Sequence, residues 1–248
     1  NIYIVWMYKL IFTLIISLSC VLGCKTTVDI PPLENSTVAP SFFQEILPHS
    51  DPFPAVGCFR NADNSLIGSG VLIEKNIVLT AGHVVDNPPA FFVISNKYYL
   101  LKEIIIHEEY NEHLIWNDIA VVVLGSDVEG VVPAILTSEY DMLHKGKYLI
   151  TVGFSKDIKK YSKVGVFFYY GTLMGEPNYI KFLPLKDTIW FGDSGGAVYS
   201  IFGNEFKLVG IISTLSTDHD GMVYENSATK VKQYLPWIRS AIKGKGGE

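Results

Sequence analysis

A chain of 248 residues with 48% hydrophobic, 13% aromatic and only 18% charged side chains has enough apolar material for one large folded unit or two small ones, which excludes disorder as its main state. Twenty basic against 25 acidic residues give a formal net charge of −5, so there is no basic stripe to neutralise phosphates and nucleic acid is not expected as a partner. Three cysteines are too few for a disulfide framework and lack the paired spacings of a structural zinc site.

The first element is an uncharged, mostly aliphatic run from Leu10 to Gly23, preceded by Lys9 and closed by Cys24 and Lys25. A membrane span needs about 20 apolar residues, so this shorter run reads as the core of a signal peptide, with Met7 as the natural translation start. Val21-Leu22-Gly23-Cys24 resembles the bacterial lipobox, which implies cleavage before Cys24, lipidation of that cysteine and a membrane-anchored lipoprotein facing the periplasm or the cell exterior. An ordinary secretory signal cut near the same place is the alternative, and both export the chain. Residues 1–23 are thus expected to be a leader and 24–50 a tether, rich in Pro, Ser, Thr and Asn and without hydrophobic periodicity.

From Asp51 onward short β-rich runs alternate with Gly, Asn, Asp and Pro. Examples are Gly70-Val71-Leu72-Ile73, Ile77-Val78-Leu79-Thr80, Ile119 to Leu124 and Leu208 to Ile212. This spacing predicts an all-β sandwich or pair of barrels. Only the end reads as helical, over about 235–243, with Pro236 in the first turn and Leu235, Ile238 and Ile242 on one face. There is no internal sequence repeat. Cys58, alone in the body of the chain, reads as a small buried hydrophobe.

Three segments place a polar residue in or beside an apolar strand: Thr80-Ala81-Gly82-His83, Asn117-Asp118-Ile119 and Gly192-Asp193-Ser194-Gly195-Gly196. Acyl transfer from a serine needs a base within reach of the hydroxyl, an acid that holds the base in one tautomer, and backbone donors aimed at the developing oxyanion. Each segment supplies one candidate. Taken singly each also has a plain structural reading, as a core histidine, a turn aspartate or a tight glycine loop.

In this order the segments resemble those of the trypsin-like serine peptidases, whose chain order is also His, Asp, Ser; subtilisins and α/β-hydrolases use other orders. Lesser landmarks agree: Gly68-Ser69-Gly70 before the histidine strand, Ile106 to Tyr110 before the aspartate, Val209 to Ser213 after the serine and Tyr234 to Ile238 at the end. The resemblance implies two packed antiparallel β-barrels, at about 51–133 and 134–230, followed by a C-terminal α-helix, the whole domain spanning 51–245. It implies a serine endopeptidase in which His83 is the general base, Asp118 orients it, Ser194 is the nucleophile, and the N–H groups of Gly192 and Ser194 form the oxyanion hole. Ser213 would support the aspartate and begin the pairing with substrate, and Thr188 and Leu215 would line the specificity pocket. No cofactor and no metal are implied; the expected partner is a protein or peptide substrate and the expected state a monomer. The alternative is a catalytically silent scaffold of the same fold acting as a surface binding protein.

The chain departs from the family pattern in places. Gly68, Val84 and Trp190 stand where cysteines are common, so packing must replace the usual bridges. Thr188 stands at the pocket floor with Asp187 one residue earlier, and Leu215 replaces a wall glycine, which favours an uncharged residue before the scissile bond unless Asp187 is the true floor. Ala55-Val56-Gly57-Cys58 lies too close to His83 to act as a cleaved, inserting N-terminus, so no activation cut is expected and Asp193 must find a lysine or backbone donors. His107 and His113 lack the four-residue spacing of a zinc-peptidase helix. Asp218 to Gly221 reads as an exposed turn, and Phe167 to Tyr170 as strand packing.

Overall fold

Ala120–Leu124 is a run of five apolar residues, four of them β-branched or leucine, and it forms a strand buried along its whole length. The computed structural model describes residues 51–114, 116–137, 148–155, 159–167, 178–184, 189–202, 205–217 and 223–245. The proposed leader and tether with Cys24, the pocket residues Asp187 and Thr188, and the turn at Asp218 to Gly221 lie outside them. Of Phe167 to Tyr170 only the backbone of Phe167 is described.

The first six strands are β1 (Val56–Arg60), β2 (Leu66–Glu74), β3 (Ile77–Thr80), β4 (Phe91–Ile94), β5 (Lys97–Ile106) and β6 (Ala120–Leu124). They close into an antiparallel barrel in the order β1-β2-β3-β6-β5-β4. Closure leaves no exposed edge. Phe59 and Phe92, both fully buried with ring centroids 5.0 Å apart, fill one end of it. The second barrel is built from β7 (Tyr148–Ser155), β8 (Lys159–Phe167), β9 (Tyr179–Pro184), β10 (Ala197–Phe202), β11 (Glu205–Thr217) and β12 (Val223–Lys230). Read from β7, its order is β7-β8-β9-β12-β11-β10, the same path as the first. The repeat that sequence comparison does not reveal is therefore present as topology. Leu149, Ile180, Phe182, Val198 and Ile212 form the second core. The all-β expectation of two barrels and a C-terminal helix describes this architecture.

Among the described residues two helices complete the fold. The single turn α1 (Gly82–Val85) follows β3 directly. The second helix, α2 (Val231–Ile242), buries Val231, Tyr234, Leu235 and Ile238 on one face. It begins four residues earlier than the expected start at about 235, so Pro236 sits inside the helix rather than in its first turn. Proline removes one internal hydrogen bond there, and the burial of Val231 and Tyr234 ahead of it offsets that loss. Beyond α2 the chain touches the first barrel: Asn76 Nδ2 donates to the carbonyl of Lys245 at 3.2 Å, and the Lys245 ammonium pairs with Glu103.

Where the family commonly has a disulfide, a Cβ placed on Gly68 would lie 2.8 Å from a Val84 methyl carbon. The two Val84 methyls fill the space beside Gly68. Cys58 is a buried thiol outside any disulfide.

Candidate active site

His83 is carried on α1, and the burial of its neighbours Val84 and Val85 fixes that turn against the barrel. Its Nδ1 lies 2.9 Å from Oδ2 and 3.1 Å from Oδ1 of Asp118, and its backbone N–H donates to the same carboxylate at 3.0 Å. With Nδ1–H committed to a carboxylate, Nε2 is the nitrogen left to accept a proton.

Asp118 is wholly buried, a position a carboxylate tolerates only when hydrogen-bonded. Besides the two donors of His83, it accepts a short 2.5 Å bond from Ser213 Oγ, and its backbone carbonyl accepts from Thr229 Oγ1 at 2.8 Å. Ser213 reaches it because the ladder between β11 and β12 shifts register between Ile212 and Thr214, leaving Ser213 as the extra residue of a bulge. On the other side Asn117 adopts φ +51°, a left-handed conformation that asparagine accepts more readily than most residues. Its side chain donates to the Glu109 carbonyl at 3.0 Å and accepts from Tyr234 of α2 at 2.8 Å. Burial, opposed by a hydrogen bond with Asn178 and helped by the smaller Asp118 and Glu109 charges, pushes the Tyr234 phenol up to about 12, so it remains a donor across the physiological range.

Burial of the His83 ring is the largest single influence on its pKa and lowers it. The hydrogen bond and charge of Asp118, with a smaller contribution from Asp86, outweigh that, and the net shift is upward from 6.5.

Ser194 sits in a loop whose shape depends on glycine. Gly192 and Gly195 adopt φ +94° and +79°. A Cβ on Gly192 would lie 2.3 Å from the Phe154 carbonyl oxygen, and one on Gly195 would lie 2.2 Å from both the Ser69 carbonyl and Thr80 Oγ1. No other side chain fits. The N–H groups of Asp193, Gly195 and Gly196 are donated to the carbonyls of Trp190, Ile212 and Asp193. Among the described residues, those of Gly192 and Ser194 find no acceptor. Asp193 is buried and its Oδ2 accepts from the Trp190 N–H at 2.8 Å, so a backbone donor meets that oxygen.

His83, Gly192, Ser194, Ser213 and Leu215 line one open cleft of about 750 Å³. Ser194 Oγ makes no hydrogen bond to the His83 ring in this arrangement. Thr188 lies outside the described residues. The described walls are mostly apolar, with Leu66 and Ile67 from β2 and Ile189, Trp190, the 79% exposed Phe191 and Leu215, and His83 is their one titratable side chain.

Reading the sequence residue by residue missed Thr229, whose hydroxyl holds the backbone of Asp118, and Phe191. The bonds within Ser69, flagged only as part of Gly68-Ser69-Gly70, were missed as well. An apolar aromatic beside Gly192 is the one signal among these that the sequence could have raised.

The family model for trypsin matches residues 43–238. Among curated proteins, vitamin K-dependent protein C from Oryctolagus cuniculus is 25% identical over 224 residues, covering 75% of this chain and 48% of that protein. The chain thus spans about half the length of the curated relative it matches.

Proposed function

The chain belongs to the trypsin family of serine peptidases, and from that premise we propose that it is an active serine endopeptidase using His83, Asp118 and Ser194. The observation that carries this is the hydrogen-bonded series Ser213–Asp118–His83 opening into the cleft that also holds Ser194 and two unengaged backbone N–H groups. His83 Nε2 would take the Ser194 proton as Oγ attacks the scissile carbonyl, and the resulting alkoxide would be met by the N–H groups of Gly192 and Ser194. The imidazolium, stabilised by Asp118, would then return its proton to the leaving amine. Water would repeat the sequence on the acyl-enzyme. Residues Ser213 to Leu215 end on the cleft and would pair with an extended substrate as an added strand.

The missing bond between Ser194 and His83 is what favours the second reading, a silent scaffold that binds without cutting. Catalytic hydrogen bonds are often long without substrate and tighten only in the complex, so geometry favours the enzyme. A fluorophosphonate probe separates the two. Expected is stoichiometric labelling that Ser194→Ala abolishes, with peptide hydrolysis falling by about 10⁴-fold or more and the melting temperature unchanged. An unlabelled wild type would leave the scaffold.

The finer assignments are proposals on the same footing. The apolar walls suit an uncharged, small or medium residue before the scissile bond, with Thr188 at the floor; strong cleavage after Arg in a peptide library would instead place Asp187 there. Residues 51–245 are the peptidase domain, a monomer, behind a leader at 1–23 and a tether at 24–50. The protein is an exported bacterial lipoprotein anchored through Cys24, and Cys24→Ala is expected to release it from membranes. Retention of that variant on membranes would refute the anchor. Among the described residues no helix is long and apolar enough to cross a membrane.

A further inference from the structure

We propose that Ser69 is the positioning residue of the oxyanion hole, an inference that rests on the serine peptidase reading. Ser69 lies on β2 in the first barrel and is fully buried, yet it makes four short hydrogen bonds. Its N–H donates to the Ser194 carbonyl at 2.7 Å, its Oγ to the Gly192 carbonyl at 2.7 Å, and its own carbonyl accepts from Thr80 Oγ1 at 2.7 Å. Its Oγ also accepts from the Phe154 N–H at 2.8 Å.

The protons in this cluster can be placed without ambiguity. Phe154 N–H can only donate and the Gly192 carbonyl can only accept, so the one hydroxyl proton of Ser69 must lie toward Gly192. Ser69 therefore holds the carbonyls of the two residues whose N–H groups are left without acceptors. The carbonyl between them, that of Asp193, is taken by the Gly196 N–H at 2.9 Å.

Such a hold is needed because of the glycine. Gly192 reaches φ +94° only by having no Cβ, and the same lack of a side chain leaves its flanking peptides free to rotate once local bonds are lost. The restraint has to come from outside the loop, and β2 supplies it from the opposite barrel. A Cβ on Gly68 would lie 3.0 Å from the Ser194 carbonyl oxygen, so the small residues around Ser69 are what allow this approach. An oxyanion hole acts by being organised before charge develops, and loss of one donor costs about 10²–10³ in kcat; mispositioning one should cost less.

Ser69→Ala in the full chain tests this, with rates normalised to fluorophosphonate-titrated sites. Expected is a fall in kcat of about 10- to 100-fold with KM nearly unchanged. The affinity of a peptide aldehyde, whose hemiacetal oxygen occupies the hole, is expected to fall by the same factor while that of the product peptide is retained. Ser69→Thr, which keeps the hydroxyl, is expected to retain most of the kcat and aldehyde affinity that Ser69→Ala loses, and Ser69→Cys, a weaker donor with a larger atom, to give the same split as alanine and to decide the matter where the alanine variant does not fold. Wild-type kcat and aldehyde affinity in the alanine and cysteine variants would overturn the role of Ser69 while leaving the peptidase. Equal losses of aldehyde and product-peptide affinity would do the same, by showing a general structural defect. A wild type that the fluorophosphonate does not label would overturn the peptidase reading and the inference with it.

Discussion

The two sides of the cleft are held by different means. His83 and Asp118 belong to the first barrel and are fixed by side chains: imidazole to carboxylate, serine hydroxyl to carboxylate, asparagine to tyrosine. The Ser194 loop belongs to the second barrel and is fixed almost wholly through its backbone, by carbonyls and N–H groups that glycines allow to come close. A side chain used for its chemistry can be exchanged with the fold left standing. A backbone used for its shape cannot be altered without moving Ser194 and its neighbours themselves.

The largest effect on that contrast is expected from Asp118→Asn. The amide leaves the packing in place but favours the wrong imidazole tautomer, so kcat should fall by about 10⁴-fold with the melting temperature little changed. A loss below tenfold in steady-state kinetics would show that the acid side contributes little. Next comes Gly195→Ala, in which a left-handed φ and a contact at 2.2 Å combine; misplacement of the serine by even ~1 Å should cost about 10²-fold in activity. Gly130→Ala sharpens the comparison, since Gly130 has a similar φ of +76° with nothing within 4 Å. It should lose about 1 kcal/mol of stability by denaturant titration and none of its activity. Wild-type activity in Gly195→Ala as well would mean that neither the strained φ nor the close approach places the serine loop.

The smallest effect concerns pH. Because Asp118 raises the His83 pKa above 6.5, the pH–rate profile should fall off on acidification with a midpoint above that value. In residual Asp118→Asn activity the midpoint should move down, since burial of the ring then acts with only the small Asp86 contribution against it. Stability runs the opposite way. The raised pKa means that protonated His83 stabilises the fold fully below 6.5 and that this contribution is lost as pH rises through the raised value. The melting-temperature gap between wild type and Asp118→Asn should therefore be wider in mildly acid than in alkaline buffer. A gap independent of pH would deny that the pair is linked to folding.

What the sequence made legible follows the same division. Val121, Val122 and Val123 announce a buried strand because β-branched residues in an unbroken run have few other uses. His83, Asp118 and Ser194 stand out as polar residues in apolar settings, and the glycines of the serine loop signal a shape that no other residue allows. The hydrogen bonds that hold these groups in place were not legible. Thr229 meets Asp118 across 111 residues and Ser69 meets Gly192 across 123, and no local pattern marks either hydroxyl as different from one facing water. The start of α2 was misplaced because Pro236 reads as a first-turn residue, whereas the apolar face of Val231, Tyr234 and Leu235 extends the helix ahead of it.

The contact between α2 and the first barrel has a consequence in time. Asn117, which presents Asp118, is steadied by Tyr234, and Trp237 of the same helix donates to Glu108 at 2.9 Å beside it. Tyr234 follows Asn117 by 117 positions, with nearly all of the second barrel between them. During synthesis the last strand of the first barrel, β6, is complete at Leu124, but the brace on the residue before Asp118 arrives only with α2. The setting of Asp118 is therefore complete only when nearly all of residues 51–245 have been synthesised.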